Sequence, residues 1–222
     1  MSGNDKRSDR FGGVARLYGE AGLRALGQAH VCVVVVGVVG SWTVEALARS
    51  GVGALTLVDL DEVCVTNVNR QLPALDGGFG KFKVEELARR IAAIHPGCRV
   101  TARAEFFNDK TSGAILARGF NFVVDAIDNV ANKTQLIAAC REHGFPRAGR
   151  RMGVPCVFSP EPPVYPKTEG TVCASRPEAG EPEGSLKLNC EWGFGAATFV
   201  TGAFGFAAAG EVVRRLAGSG LA

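Results

Sequence analysis

The fold is decided by the stretch from Val31 to Trp42, which is V-C-V-V-V-V-G-V-V-G-S-W. Its continuous apolar run, Val31–Val36, predicts a parallel strand that is covered on both faces of a sheet. Gly37 and Gly40 predict a tight turn after that strand. Ser41 then stands where an N-cap residue is expected, so the stretch predicts the strand, turn and helix start of a βαβ unit.

The same alternation of strands and helices continues outward from this unit. The apolar spacing predicts helices over Ser41–Ser50, Lys81–Ile94, Asn108 or Asp109 to about Arg118, and Val130–His143, and strands over Ala54–Leu60, Arg99–Ala104 and Asn121–Ile127. Alternating strands and helices predict a doubly wound, mainly parallel α/β sheet. Pro160–Glu183 is rich in Pro, Glu and Gly and is predicted to be a loop. No second domain is indicated.

Composition narrows the class of protein. With 222 residues, 46% of them apolar and 21% charged, the chain is typical of a soluble globular domain that buries its own core. A net charge of +3 is compatible with contact with a nucleic acid but is not evidence for it. Seven cysteines without a C-x-x-C pair argue against a four-cysteine zinc site and favour a reducing compartment.

Two segments bear on the cellular location of the protein. The first ten residues, M-S-G-N-D-K-R-S-D-R, are charged and lack an apolar core, so we expect no secretory signal. Phe194–Gly210 carries no charge, but it is short and diluted by glycine and threonine. It is predicted to be a buried core helix rather than a membrane span. A cytoplasmic location follows as the expectation, with an organelle left open.

The turn after the first strand also partly matches a phosphate-binding pattern. Gly37 and Gly40 fit the last two glycines of G-x-G-x-x-G, and Val35 stands where the first is expected. Glycine there permits a positive φ that a β-branched residue resists. A helix that starts at Ser41 would direct backbone N–H groups at a phosphate. Alone, the pattern is weak, because a purely structural turn looks the same.

The stretch Val58–Gln71, V-D-L-D-E-V-C-V-T-N-V-N-R-Q, strengthens the interpretation as a nucleotide site. Asp59 lies 19 residues after Gly40, a spacing at which an acidic residue reaches ribose hydroxyls. Asp61 adds a second carboxylate. The side chains that follow offer amides and a cation suited to phosphate, namely Asn67, Asn69, Arg70 and Gln71.

Two further charges favour ATP over a dinucleotide. Lys83 lies in the first turn of its predicted helix, where the helix dipole disfavours a cation unless an anion is close. Asp128 follows a predicted strand at the same sheet edge and could hold Mg²⁺ against phosphate oxygens. We expect these groups to converge with Asp59 and Arg70. A dinucleotide oxidoreductase needs no such clamp and is a distant alternative.

These motifs resemble the ubiquitin-activating-enzyme-like superfamily of ATP-dependent adenylating enzymes (the ThiF/MoeB/HesA type), and within it the tRNA threonylcarbamoyladenosine dehydratases. The similarity rests on R-F-G-G-V-A-R-L-Y-G (Arg10–Gly19), Val58–Gln71, V-V-D-A-I-D-N (Val123–Asn129), P-C-V-F-S (Pro155–Ser159), G-T-V-C-A (Gly170–Ala174) and the stretch Gly193–Phe206. The resemblance implies one Rossmann-like adenylating domain over 1–222. Its parts would be a helical arm over 1–30, nucleotide-binding βα units over 31–146, and a C-terminal loop and apolar helix over 147–222.

The resemblance also implies an activity. ATP would activate the carboxylate of the threonylcarbamoyl group on an adenosine of tRNA, and that group would then cyclise with net loss of water. The implied catalytic residues are Arg70, Lys83, Asp128 and Arg16, the last reaching the neighbouring subunit's site in a homodimer. Asp128 would hold Mg²⁺. The implied ATP-binding residues are Gly37, Gly40, Ser41, Asp59, Asp61, Asn67, Asn69, Gln71, Lys83 and Asn129.

Two departures from the family keep alternatives open. Val35 and Val38 replace two glycines of the family's G-x-G-G-V-G turn. Arg141–Met152 stands where the family has a strand, a glycine-rich turn and a long crossover. The alternatives are a nucleotide-binding relative without full activity, or an adenylating enzyme for a ubiquitin-like or sulfur-carrier protein with a sulfur-relay partner.

Two groups of residues each have a structural and a functional interpretation. The cluster Arg147, Arg150 and Arg151 is either a contact for tRNA phosphate or a solvated loop, with the loop favoured. Cys156 and Cys173 are either reactive thiols or small apolar side chains, with the second favoured.

Overall fold

The computed structural model of the chain describes residues 5–145, 154–162, 164–167, 169–174 and 196–218. The helices are α1 (Asp5–Gln28), α2 (Gly40–Arg49), α3 (Lys83–Ile94), α4 (Asp109–Leu116), α5 (Val130–Glu142) and α6 (Thr198–Ala217), with a short 3-10 turn over Val65–Asn67. The strands are β1 (His30–Val34), β2 (Ala54–Val58), β3 (Arg99–Arg103), β4 (Phe122–Asp125), β5 (Tyr165–Pro166) and β6 (Val172–Cys173).

Four parallel strands form the main sheet, in the order β3-β2-β1-β4. β1 is central, because it pairs with both β2 and β4. Its residues alternate between two cores. Val31 and Val33 face α2, α3 and α6, whereas Cys32 and Val34 face α4 and α5. Helices therefore cover both faces, which confirms the predicted doubly wound sheet.

The apolar run of β1 explains why this strand lies at the centre. Residues 31 to 34 are each fully buried, and each buried valine contributes roughly 1.5–3 kcal/mol relative to an exposed one. β3 is different, because its Arg99 and Ala102 are exposed and the other residues are half-buried. The strand with the most continuous apolar run is thus one of the two central strands, β1 and β2, and β3 forms an edge.

The predicted strand ends are wrong by one to two residues, because local hydrogen bonds turn the chain earlier. β1 ends at Val34 rather than Val36, and β2 ends at Val58 rather than Leu60. β4 ends at Asp125, whose carboxylate accepts a bond from the Ile127 N–H at 3.0 Å. Such side-chain bonds to nearby N–H groups end a strand in a way that an apolar pattern does not show.

The predicted N-cap of α2 is also wrong. The helix begins at Gly40, its N-cap residue is Val39, and no described side chain caps it. Ser41 lies inside the helix and is fully buried, and its hydroxyl accepts a bond from the Leu72 N–H at 3.3 Å. Ser41 therefore ties α2 to the segment that follows the 3-10 turn.

The C-terminal part differs from its prediction in two ways. The predicted loop Pro160–Glu183 contains the short antiparallel pair of β5 and β6, and residues 175–183 lie outside the described ranges. α6 continues to Ala217 and is buried on one face only, because Phe199 and Phe206 on its other face are 79% and 52% exposed. No described helix is long and apolar enough to cross a membrane.

We predict that Gly53→Ala destabilises the fold. A Cβ at Gly53 would lie 1.8 Å from the carbonyl oxygen of Gly27 at the end of α1, and such overpacking costs about 1–3 kcal/mol. Urea unfolding measures the loss. Gly113→Ala is the matched control, because a Cβ there meets nothing within 4 Å inside α4. The control should gain about 0.5–1 kcal/mol. An unchanged unfolding midpoint for Gly53→Ala would contradict the prediction.

Candidate functional site

The turn after β1 brings two backbone donors to the end of β2. The Val35 N–H donates to Val58 O at 2.8 Å, and the Val36 N–H donates to a carboxylate oxygen of Asp59 at 2.9 Å. Between these bonds Val35 has a φ of 66°, in the left-handed region. The valine that replaces the first glycine of the pattern therefore keeps a glycine-like backbone, at a cost of about 1–2 kcal/mol.

Gly40 and Gly37 permit close approaches in this turn. A Cβ at Gly40 would lie 2.0 Å from Val35 O and 3.3 Å from Ala126 Cβ, so α2 begins directly against the ends of β1 and β4. At Gly37 a Cβ would lie 3.7 Å from the side-chain nitrogen of Gln71. Since no described side chain caps α2, the positive end of its dipole faces this turn and suits an anion.

Asp59 is buried at the end of β2 and is held at both oxygens. One oxygen accepts the Val36 N–H and the other accepts the Asp61 N–H, each at 2.9 Å. Burial raises the pKa of Asp59, against the Asp61 hydrogen bond and the charge of Lys83. A carboxylate has about four acceptor positions, so two bonds leave it able to accept further donors such as ribose hydroxyls.

Lys83 is buried at the start of α3 and already has an anion beside it. Its Nζ lies 2.7 Å from a carboxylate oxygen of Asp61, and its N–H donates to Asp61 O at 3.0 Å. The side chain of Lys83 is 7% exposed, whereas that of Asp61 is 58% exposed. The anion expected near this lysine is therefore supplied, at least in part, by the protein itself.

Arg70 is fixed from two sides. Its carbonyl oxygen accepts bonds from Trp42 Nε1 on α2 at 3.2 Å and from Thr201 Oγ1 on α6 at 3.1 Å. Its Nη1 donates to Thr66 O at 2.6 Å and to Asn69 Oδ1 at 2.9 Å. The helices α2 and α6 thus hold the backbone of Arg70, while the preceding loop orients its guanidinium.

Two buried polar atoms at this position have no partner among the described residues. They are Arg70 Nε, a donor, and Gln71 Oε1, an acceptor. Gln71 lies beside Gly37, and its Oε1 would be 3.9 Å from a Cβ at that glycine. An unsatisfied buried group costs about 1–3 kcal/mol. A bound molecule with an acceptor for Arg70 Nε and a donor for Gln71 Oε1 would satisfy both atoms.

Other predicted residues use their side chains within the protein. Asn67 Oδ1 accepts the Cys64 N–H at 3.1 Å and so closes the 3-10 turn. Asn69 Nδ2 donates to Ala196 O at 2.8 Å and so joins this loop to the segment before α6. Asn67 and Asn69 position the loop that carries Arg70. Their contact with a nucleotide stays a prediction.

The end of β4 places a free carboxylate beside the same turn. Ala126, which lies against Gly40, donates its N–H to Val34 O at 3.0 Å. Asp128 follows two residues later, is exposed, and has no hydrogen bond or ion pair within the described chain. Asn129 caps α5, accepting the Asn132 N–H at 3.1 Å. The Asp128 carboxylate is therefore available to a ligand, whereas the Asn129 side chain caps α5.

Asp125 is a site residue that the sequence interpretation missed. One of its oxygens accepts the Ile127 N–H, and the other lies 2.8 Å from Lys133 Nζ on α5. It thereby fixes the turn from which Asp128 projects. The signal was present, because Asp125 is part of the quoted stretch Val123–Asn129. An aspartate that ends a strand can be recognised there once the strand end is known.

The structure does not bring the remaining predicted residues to the candidate nucleotide site. Arg16 lies on the exposed side of α1 and contacts no predicted site residue within the described chain. Cys156 is exposed and Cys173 is half-buried, and the arginine cluster 147–151 lies outside the described residues. Among the residues described, no group of three or more His, Cys, Asp or Glu side chains could hold a metal ion.

A family model and several known proteins are similar to nearly the whole chain. The model of the ThiF family matches residues 13–222. A curated relative from Escherichia coli (strain K12), tRNA threonylcarbamoyladenosine dehydratase, is 40% identical over 258 aligned residues that cover 96% of this chain and 95% of the relative. Since that alignment is longer than the 222 residues of this chain, the relative contains residues that have no counterpart here.

Two solved structures extend the similarity to the fold. One, TcdA (CsdL), superposes with a TM-score of 0.81 at 38% identity, covering 94% of each chain. Another is E. coli tRNA N6-threonylcarbamoyladenosine dehydratase, TcdA, in complex with ATP. It superposes with a TM-score of 0.72 at 38% identity, also covering 94% of each chain.

We predict that Val35→Gly is tolerated better than Val39→Gly. Both valines are half-buried in the same turn, but Val35 has a φ of 66° and Val39 a φ of −93°. Glycine costs about 0.5–1 kcal/mol of backbone entropy at either position, and only at Val35 does it also remove the left-handed strain. Urea unfolding compares the two variants. A loss at Val35 as large as that at Val39 would contradict the assignment of strain.

Proposed function

This chain belongs to the ThiF family, as its motifs predicted, and we propose that it is an ATP-dependent tRNA threonylcarbamoyladenosine dehydratase. The observation that carries the proposal is a pair of buried atoms without a partner among the described residues, Arg70 Nε and Gln71 Oε1, of which Gln71 lies beside Gly37 of the turn after β1. The similarity to a dehydratase of that name extends over 96% of the chain. It therefore includes the C-terminal half as well as the nucleotide half.

The geometry supports ATP as the molecule that occupies the turn. Asp59 has acceptor positions left for ribose hydroxyls, and Arg70 Nε is a buried donor without an acceptor. Lys83 lies in the same region and is joined to Asp61, which is more than half exposed. A triphosphate carries several negative charges. It can therefore bind Lys83 together with Asp61 or in place of Asp61. Buried cations stabilise such charges more strongly than exposed ones do.

Asp128 is the residue that we propose for Mg²⁺. Its carboxylate is exposed, unpaired among described residues, and two positions from Ala126, which touches the turn. Magnesium is usually held by only one or two carboxylates together with phosphate oxygens and water, so a larger cluster of protein ligands is not required. When bound, the ion would withdraw negative charge from the phosphate oxygens.

The reaction that these groups support has two steps. A carboxylate oxygen of the threonylcarbamoyl group attacks the α-phosphorus of ATP, and pyrophosphate leaves. A nucleophilic atom of the same group then attacks the activated carboxyl carbon, and AMP leaves with the oxygen that the carboxylate lost. Arg70 and Lys83 would stabilise the charge that develops on the phosphates. The second step is intramolecular and gains from proximity.

We further propose that the protein is a homodimer. α6 presents an apolar, uncharged face to solvent, with Phe199 79% and Phe206 52% exposed and the half-exposed Val200 beside them. Soluble monomers rarely leave such a face uncovered. A second copy is the occupant we propose for it. Arg16, which has no partner in its own chain among described residues, would then be available to the neighbouring site.

Location and the alternative substrate belong to the same proposal. We place the protein in the cytoplasm, where its tRNA substrate would be. Activation of a ubiquitin-like or sulfur-carrier protein, with a sulfur-relay partner, is not favoured by any observation on the described residues. It is distinguishable by experiment, because such a reaction needs a carrier protein rather than tRNA.

We expect the purified chain, given ATP, Mg²⁺ and tRNA that carries threonylcarbamoyladenosine, to yield a nucleoside lighter by one water. Lys83→Ala and Asp128→Ala should each lower the rate by about 10²–10³-fold, as the loss of an electrostatic catalytic group does. Mass spectrometry of digested tRNA gives the readout. Lys110→Ala and Glu142→Ala remove exposed charges of the same signs on α4 and α5 and should leave the rate unchanged.

Two results would overturn this function. One is absence of product under conditions in which the E. coli relative gives it. The other is ATP–pyrophosphate exchange that requires a carrier protein with a C-terminal Gly-Gly and not tRNA. Full activity of Lys83→Ala or Asp128→Ala would instead overturn only the site assignment.

A further inference from the structure

The sheet has a second cluster of basic side chains, at the end opposite the nucleotide site. His30 begins β1 and Arg99 begins β3, and both are in register with Ala54 of β2. Residues in register on parallel strands point to the same face, and two strand spacings separate the Cα atoms of His30 and Arg99 by about 10 Å. A bond of 2.9 Å between His30 Nε2 and Thr56 Oγ1 confirms which face His30 occupies.

Arg118 joins this cluster from the loop between α4 and β4. Phe120, two residues later, packs edge-on against the His30 ring, with 4.6 Å between ring centroids. Arg118 and Arg99 are both exposed, and neither side chain has a hydrogen bond or ion pair with a described residue. Several other exposed arginines are paired with carboxylates, as in Arg89–Glu86, Arg214–Glu211 and Arg49–Glu45.

The electrostatic field at this end has one sign. The pKa of His30 is lowered by burial and by the charges of Arg99 and Arg118. Burial raises the pKa of the neighbouring Cys98 to about 11, and the charges that oppose this rise belong to Arg7 and Arg99. The charges that act on these two groups are all arginines. Arg99 and Arg118 thus place two arginine side chains that lack a carboxylate partner among the described residues close to His30.

The edge strand β3 runs from this end of the sheet to the end that holds the nucleotide site. Arg99, Thr101 and Arg103 of the edge strand β3 lie on the same face as His30, and none of the three is buried. The five residues of β3 span about 16 Å. A nucleic-acid strand carries one phosphate per about 3.4 Å of helix axis, so this distance corresponds to about five nucleotides.

We propose that Arg99 and Arg118, which lie beside His30, bind the phosphate backbone of the tRNA substrate, about one strand length from the reacting nucleotide. This contact rests on the proposed function and deepens it. The base reacts at the carboxyl ends of the strands while the backbone of the same RNA stem lies across their amino ends. Phosphate contacts position a nucleic acid and contribute affinity without reading its sequence.

The test is the salt dependence of tRNA binding. Arg99→Gln/Arg118→Gln removes two phosphate contacts, so the slope of log affinity against log salt should fall by about two and the Kd for tRNA should rise about tenfold. The Kd for ATP, and kcat at saturating tRNA, should stay unchanged. Because the contact is to the backbone, tRNA that lacks the threonylcarbamoyl group should lose affinity by the same factor.

Arg89→Gln/Arg214→Gln is the matched control, because it removes the same net charge from exposed arginines on α3 and α6. It should change the salt slope by much less than two. Arg99→Glu/Arg118→Glu reverses the charge and should weaken tRNA binding further than the glutamine pair. Melting temperatures check that each variant folds.

The outcomes separate the two proposals. A wild-type chain that dehydrates tRNA, together with a glutamine pair that keeps the wild-type salt slope and tRNA KM, overturns the backbone contact alone. Equal effects in the test and control pairs overturn it as well, because the effect would then be one of net charge. A wild-type chain that binds tRNA without giving product overturns the proposed function, and the salt slope still decides the contact.

Discussion

The carboxylate of Asp59 holds together the parts of the structure on which the candidate site depends. One oxygen binds the Val36 N–H of the turn after β1, and the other binds the Asp61 N–H of the segment after β2. The two central strands thereby end in a fixed relation, with Val35 kept at a φ of 66° between them. Because Lys83 is joined to Asp61, the same carboxylate also sets, through one further residue, where α3 begins.

The C-terminal helix supports a site that is built mostly from the first half of the chain. Thr201 binds the carbonyl oxygen of Arg70, and Thr198 binds that of Asn69 at 2.7 Å. Gly205 lets α6 approach α2 closely, since a Cβ there would lie 2.5 Å from Trp42 Cβ. These contacts give a physical reason for the motif Gly193–Phe206 to accompany the nucleotide motifs. Small and hydroxylated residues on α6 set the position of the arginine loop.

The sequence predicted the sheet well because its signal is strong and local. The continuous apolar run of β1 and the alternation of strands with amphipathic helices are enough to indicate a parallel, doubly wound core. The ends of strands were less predictable. They depend on single side-chain bonds, such as that from Ile127 N–H to Asp125, and on a valine held in a backbone conformation that its side chain disfavours.

For the candidate site, the sequence predicts which residues take part, and their roles stay a prediction; it does not indicate how their side chains are paired within the protein. Motif and spacing indicated Asp59, Arg70, Lys83 and Asp128 together. That Lys83 is already paired with Asp61, and that Ser41 binds Leu72 instead of capping its helix, depends on contacts between distant segments. The position of the loop that carries Arg70 and Gln71 likewise depends on bonds from Trp42 and Thr201, which are distant in sequence.

Thermal melting with and without ATP and Mg²⁺, of the wild type and of Arg70→Lys, tests most directly whether Arg70 Nε and Gln71 Oε1 form a nucleotide site. Ligand at 100 times its Kd stabilises a protein by about 2.7 kcal/mol, so the wild type should melt at a clearly higher temperature with ATP. Arg70→Lys keeps the charge but loses the guanidinium, including Nε and the Nη1 bonds to Thr66 and Asn69. Each shift is therefore measured from the same protein's melting temperature without ATP, and Arg70→Lys should lose most of the shift. An equal shift in both proteins, or none in the wild type, would contradict the assignment.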